Sequence, residues 1–163
     1  MKPIKVGLIG IGTVGAGTFN VLQRNQEEIR RRAGRAIEIA MVADLDTGRA
    51  RTVTGGKAQV VSDANQIVDN PEIDIVIELI GGYGVARELV MRAIANGKHV
   101  VTANKALIAQ YGNEIFAAAA AKKVLVAYEA SVAGGIPIIK AIREGLAGNS
   151  IDRKSTRLNS SHT

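Results

Sequence analysis

Three observations in the sequence predict an α/β protein of the doubly wound, Rossmann type built on a parallel sheet. Apolar runs of strand length alternate with longer segments of helical period. The most central run is apolar on both faces, as a strand covered by helices on either side must be. A glycine triplet, Gly10-Ile11-Gly12-Thr13-Val14-Gly15, stands where the first run gives way to the first helical segment.

The elements follow in order. Ile4–Ile9 reads as a buried strand, and Thr13 to about Arg32 as one helix with Val14, Phe19, Val21, Leu22 and Ile29 as its apolar positions. Ile37–Ala43 is the second strand, and the Gly-, Thr- and Arg-rich stretch from Asp46 to Gly56 reads as a connection. A short helix around Asp63 to Asp69 leads through Asn70-Pro71 to the apolar strand Ile73–Ile80. A helix from Val85 to Asn96, stopped by Gly97, precedes the strand His99–Thr102, and a helix from Lys105 to Ala121 precedes the strand Val124–Ala127. Five strands with connecting helices are therefore expected. Beyond Glu129 the texture changes to a glycine-rich turn, Ser131 to Pro137, feeding a helix from Ile138 to about Leu146 with Pro137 in its first turn, read as the exit from the nucleotide-binding domain.

Composition excludes several classes of function. The 163 residues contain no cysteine, so disulfides, thiolate metal sites and thiol nucleophiles are absent from the chain. No apolar run approaches the ~20 residues a membrane-spanning helix needs, and Met1-Lys2-Pro3-Ile4-Lys5 is not a signal peptide, so a cytoplasmic protein without membrane contact is expected. The net charge of +6 invites a nucleic-acid reading, but the basic residues are scattered or terminal, and two phenylalanines, three tyrosines and no tryptophan give little for bases to stack on. The cluster Arg30-Arg31-Arg32 with Arg35 suits the negative end of a helix dipole, so no nucleic-acid partner is expected.

The glycine triplet carries the strongest chemistry. Gly10 permits the tight turn, Gly12 lets a pyrophosphate approach the backbone, Gly15 lets helix and strand pack closely, and the helix N-terminus offers free N–H groups to phosphate. With a strand before it and a helix after it, the pattern points to NAD(P) or FAD; the phosphate-loop alternative fails because Gly56-Lys57 is followed by Ala58. Asp44, ending the second strand, is placed to accept from an adenosine ribose diol, which favours NAD. Arg49 and Arg51 lie near enough to embrace a 2′-phosphate, and Asp44-Leu45-Asp46-Thr47 also reads as a helix cap, so NAD and NADP both stay open. Gly81, within Ile80-Gly81-Gly82-Tyr83, leaves room beside the crevice for the nicotinamide half. Lys105 opens a helix at the carboxyl end of a parallel strand, where the dipole disfavours a cation and an anion-binding or proton-shuttling role becomes natural. His99, at the other end of that strand, reads as structural.

These motifs, together with Glu78-Leu79-Ile80-Gly81-Gly82, Thr102-Ala103-Asn104-Lys105-Ala106-Leu107 and Glu129 through Pro137, closely resemble the N-terminal part of homoserine dehydrogenase over residues 1 to about 151. The resemblance implies NAD(P)-dependent interconversion of L-homoserine and L-aspartate 4-semialdehyde, on the way to threonine, methionine and isoleucine, in a homo-oligomer. It implies that Gly10 to Gly15 hold the pyrophosphate, with Thr13 and Val14 presenting backbone N–H groups, and that Lys105 is catalytic and contacts the cofactor near the reacting centre. Ser131 would approach the nicotinamide. Glu129, Val132, Gly134 and Ile136 match the family's sodium site, a hard-oxygen set suited to a hard cation.

The implied organisation is an NAD(P)-binding domain over 1–130, the start of a substrate domain over 131–151, and a tail, 152–163, that resembles a translated sequencing adapter. A native flexible terminus is the other reading of that tail, which supplies +2 of the net charge through Arg153, Lys154 and Arg157 against Asp152. The family's substrate-gripping acidic residues and second lysine have no counterpart in the sequence, so a truncated and inactive chain is expected. The alternatives are a stand-alone NAD(P)-binding regulatory module and another Rossmann oxidoreductase acting on a small carbonyl.

Overall fold

A computed structural model describes residues 2–150; the predicted tail at 152–163 lies outside the described residues. Six parallel strands form one sheet in the order β3-β2-β1-β4-β5-β6, where β1 is Ile4–Ile9, β2 Ile37–Ala43, β3 Gln59–Val61, β4 Ile75–Glu78, β5 His99–Thr102 and β6 Val126–Ala127. The helices are α1 (Thr13–Arg24), α2 (Gln26–Ala33), α3 (Thr47–Thr54), α4 (Asn65–Val68), α5 (Gly84–Ala95), α6 (Lys105–Lys122) and α7 (Ile138–Lys140). The strand order reverses between β1 and β4, which is where an open α/β sheet leaves a crevice.

Alternating side chains give the sheet two apolar faces. Val6, Leu8, Ile39, Val42 and Ile77 pack with Phe19 of α1 and Ala50 of α3. On the other face Ile9, Met41, Val76 and Val100 pack with Ile67 of α4, Leu89, Val90 and Ile94 of α5, and Leu107 and Ile115 of α6. Burial of both faces explains why the strands read as continuous apolar runs.

Several boundaries differ from the sequence reading. The sheet has six strands, because the three-residue edge strand β3, with Val61 its single fully buried residue, is too short to show a period. The stretch read as a connection contains α3, which Asp46 caps by accepting from Arg49 N–H and which Gly55 ends, but which buries only Ala50 and Thr54 and so shows no apolar stripe. The single helix expected over Thr13 to Arg32 breaks at Asn25, whose ψ of 20° leaves the helical range. Beyond that break α2 buries nothing, and its Arg31 and Arg32 pair with Glu28 at 2.8 and 2.6 Å. The strand expected to end at Ile80 ends at Glu78, and the one expected from Val124 begins at Val126. After Pro137, which is the cap of α7 and not part of its first turn, α-helical geometry lasts three residues and gives way to a π-type turn over Ala141–Gly145. No helix among the described residues is long and apolar enough to cross a membrane.

Candidate functional site

Pairing sets the level at which the loops leave the sheet. Ile9 at the end of β1 stands opposite Ala43 of β2 and Glu78 of β4, and Glu78 stands opposite Thr102 of β5. Every motif singled out in the sequence therefore emerges at the same carboxyl edge. Gly10 follows β1 with φ +95°, a conformation that favours glycine, and a Cβ there would meet the Leu79 backbone at 3.0 Å. A Cβ on Gly15 would lie 2.0 Å from the Gly10 carbonyl oxygen, so α1 sits directly against the loop. A Cβ on Gly12 would meet nothing within 4 Å. That position opens onto free space at the mouth of α1, and among the described residues no side chain caps the helix. The N–H groups of its first turn, those of Thr13 and Val14 among them, have no acceptor within the helix.

Asp44 is tied into this loop. Its Oδ2 accepts from Ile11 N–H at 2.7 Å and its Oδ1 from Asp46 N–H at 2.9 Å, so the carboxylate joins the end of β2 to the glycine turn and keeps lone pairs for a ligand. Asp44 and Gly81 line one cleft of about 450 Å³ with Leu45, Ile80 and Val85. Leu45 is 93% and Val85 63% exposed, apolar side chains standing in the open where a flat apolar group would cover them.

A second group of residues lies beside this cleft, and sequence reasoning assigned most of it no role. Glu78 is fully buried, with Oε1 accepting from the N–H groups of Ile80 (3.0 Å) and Gly81 (3.2 Å) and Oε2 accepting from the Thr102 hydroxyl at 2.6 Å. Thr102 Oγ1 in turn accepts from Asn104 N–H. Asn104 caps α6 by accepting from Leu107 N–H and donates through Nδ2 to the Gly82 carbonyl at 2.7 Å. Lys105, next along, is exposed and forms no ion pair among the described residues. Ser131 is buried, and its hydroxyl donates to the Thr102 carbonyl at 2.7 Å. The available signal was a lone glutamate inside the apolar run Ile73–Ile80.

Glu129 stands at the start of the 3-10 turn Glu129–Ser131, with one carboxylate oxygen accepting from Ile139 N–H at 2.8 Å and the other from Lys140 N–H at 3.0 Å. The Ile136 carbonyl accepts from Ile138 N–H, whereas those of Val132 and Gly134 accept no hydrogen bond among the described residues. No group of three or more His, Cys, Asp or Glu side chains gathers around a possible metal position among the described residues. His99, read as structural, accepts from Leu125 N–H through Nδ1 at 2.9 Å.

The structure thus brings Asp44 and Gly81 to one cleft and sets Gly10, Gly12, Thr13, Val14 and Gly15 at the same carboxyl edge, tied to Asp44 through the Ile11 N–H. It connects Lys105 and Ser131 to that cleft through Asn104 and Thr102, and sets Glu129, Val132, Gly134 and Ile136 at the turn leading to α7.

Comparison with known proteins gives one consistent result. The profile described as "Homoserine dehydrogenase, NAD binding domain" matches residues 10–129. A homoserine dehydrogenase of Pseudomonas aeruginosa is 61% identical, over 93% of this chain and 35% of that protein, and one of Neisseria gonorrhoeae is 54% identical, over 93% and 34%. The crystal structure of a homoserine dehydrogenase from Thiobacillus denitrificans superposes with a TM-score of 0.88 at 64% identity, covering 91% of this chain and 34% of that one. The chain spans about a third of the length of the relatives it matches.

Proposed function

The chain belongs to the homoserine dehydrogenase family, and from that premise we propose that it supplies the NAD(P)-binding part of an enzyme interconverting L-homoserine and L-aspartate 4-semialdehyde. The observation that carries the reading is the open face of Gly12 at the uncapped N-terminus of α1, with an apolar cleft and a carboxylate beside it.

These residues fit a dinucleotide. Gly10, Gly12 and Gly15 shape the turn, and the N–H groups of Thr13 and Val14 would hold the pyrophosphate. Asp44 would accept from the adenosine ribose, and Leu45 and Val85 would cover the adenine. The bound nicotinamide supplies hydride chemistry. Gly81 leaves space at the crevice, Lys105 places an exposed ammonium at the same edge to hold charge or move a proton, and Ser131 flanks this group through its bond to Thr102. Arg49 and Arg51 lie on α3, just beyond Asp44, so acceptance of a 2′-phosphate as well as a ribose diol belongs to the proposal.

The set Glu129, Val132, Gly134 and Ile136 fits sodium by chemistry. The Glu129 carboxylate has about four acceptor positions and uses two, and the Val132 and Gly134 carbonyls are unspent, which makes one negative charge and neutral oxygens for a monovalent hard cation. The dinucleotide-binding domain is placed at residues 1–130, with 131–151 opening the substrate domain. Homo-oligomeric assembly and action in the cytoplasm complete the proposal and rest on the family alone.

Calorimetric titration of the chain with NADH, NADPH and FAD tests the reading. Saturable binding of one or both nicotinamide dinucleotides and none of FAD is expected; absence of any dinucleotide binding by folded protein overturns it.

A further inference from the structure

The buried polar residues behind the cleft form one connected chain with a definite direction. Glu78 holds the loop after β4 by two backbone N–H groups, and the same carboxyl takes the Thr102 hydroxyl. Because that hydrogen is committed to Glu78, the Thr102 oxygen is left to accept from Asn104 N–H. Asn104 then caps the helix that Lys105 begins and reaches back to the Gly82 carbonyl, closing the circuit on the loop where it started. No buried side-chain nitrogen or oxygen among the described residues is left without a partner, so nothing in the circuit is free to reorient on its own.

We propose that Glu78 is a positioning residue which, through Thr102 and Asn104, sets the Ile80–Gly82 loop and the start of α6 relative to each other, and so fixes Lys105 against the nicotinamide half of the cofactor. A carboxyl suits the role better than its amide. It is an acceptor on both oxygens, and all three of its partners here are donors. In Glu78→Gln one oxygen still accepts from the loop, but the NH2 group faces Thr102 Oγ1 donor to donor, so the hydroxyl hydrogen loses its acceptor and must turn away from the circuit. The adenosine side of the cleft, held by Ile11 and Asp44, is outside the circuit.

The inference rests on dinucleotide binding by the chain, and the experiment separates the two. Affinities are measured for NADH and ADP-ribose, or for NADPH and 2′-phospho-ADP-ribose if the wild-type chain prefers the phosphorylated form. For Glu78→Gln the expected result is about tenfold weaker binding of the whole dinucleotide with ADP-ribose affinity kept within about twofold, because only the nicotinamide half meets the displaced elements. Thr102→Val should reproduce this split and Thr102→Ser, which keeps the hydroxyl, should bind as wild type; the Thr102 pair carries the test should Glu78→Gln not fold. Wild-type protein that binds neither probe overturns the dinucleotide reading itself. Unchanged dinucleotide affinity in folded Glu78→Gln or Thr102→Val, or equal losses of both probes, overturns the positioning role.

Discussion

Gly12 and Gly15 lie three residues apart at the start of α1, and their surroundings predict opposite consequences for the same substitution. In Gly15→Ala the new methyl would stand 2.0 Å from the Gly10 carbonyl oxygen and 2.9 Å from its carbon, against an ordinary contact of ~3.5 Å. Both atoms are backbone, so the helix and the turn must part by more than about 1 Å. Overpacking of this kind costs about 1–3 kcal/mol, and the better helix propensity of alanine returns at most about 1 kcal/mol. A net loss near 2 kcal/mol lowers the midpoint of thermal unfolding by about 4–8 °C in a chain of this size. In Gly12→Ala the methyl meets nothing within 4 Å and the backbone φ of −58° is open to any residue, so stability should change by less than about 1 kcal/mol. The methyl would, however, fill the space through which a pyrophosphate reaches the α1 N–H groups, weakening dinucleotide binding by about 10–100-fold. With no tryptophan in the chain, circular dichroism follows unfolding and calorimetry follows binding. A Gly12→Ala protein that binds as wild type would refute the assignment of this face to the cofactor, and a Gly15→Ala protein of wild-type stability would refute the packing argument.

Asp44→Asn should lower NADH affinity about tenfold and raise the NADPH to NADH affinity ratio, because a ribose-accepting charge is removed while Arg49 and Arg51 stay; parallel titrations with both dinucleotides check this. Lys98 is 4% exposed and donates to the carbonyls of Asn70 and Ile73, so Lys98→Met should destabilise the fold by about 1–3 kcal/mol in denaturant titrations near neutral pH. Burial holds the Lys98 ammonium below the ordinary 10.5, partly offset by Asp74 and Asp69. The folded state therefore sheds this proton before the unfolded chain does, and the Lys98 contribution to stability should rise with pH through that window toward 10.5. A wild-type minus Lys98→Met difference that is flat or falling there would contradict the sign. Glu129→Gln should abolish sodium-dependent broadening of the 23Na resonance while costing about 1 kcal/mol or less of stability, since a Gln oxygen still caps one of the two α7 N–H groups.

Elements whose patterns are local were legible in the sequence. The first strand, the glycine turn and the start of α1 are declared within Ile4 to Gly15, and α5, β5 and α6 are bounded by Gly97 and by the Asn104 cap. What stayed hidden depends on neighbours distant in sequence. The edge strand β3 exists because Val42 and Ala43 of β2 pair with it, not because its three residues demand it. The break at Asn25 reflects α2 running on with no buried residue to hold it against the sheet. The candidate site divides in the same way. Gly10, Gly12 and Gly15 were readable because the chemistry of a strand-to-helix turn is written in consecutive residues, and Asp44 because it directly follows the apolar strand Ile37–Ala43. The link from Glu78 to Thr102 was not, since 24 residues separate the partners and only the register of β4 against β5 puts them opposite each other.

That register also explains why a carboxyl is tolerated at the end of the most apolar strand. β4 must stop at the level of Ile9 and Thr102 if its loop is to open onto the same crevice as the glycine turn. Stopping there releases the N–H groups of Ile80 and Gly81 from any strand partner, and the part-buried Glu78 bonds take them up. An apolar residue at position 78 would leave both without their protein acceptor and would orphan the buried Thr102 hydroxyl, the latter at about 1–3 kcal/mol. The buried acid thus solves a local problem of strand termination, and the geometry of that solution carries through Thr102 and Asn104 to the first turn of α6. Strand ending and placement of Lys105 are therefore coupled: a change that lets β4 run one residue further should also shift the lysine.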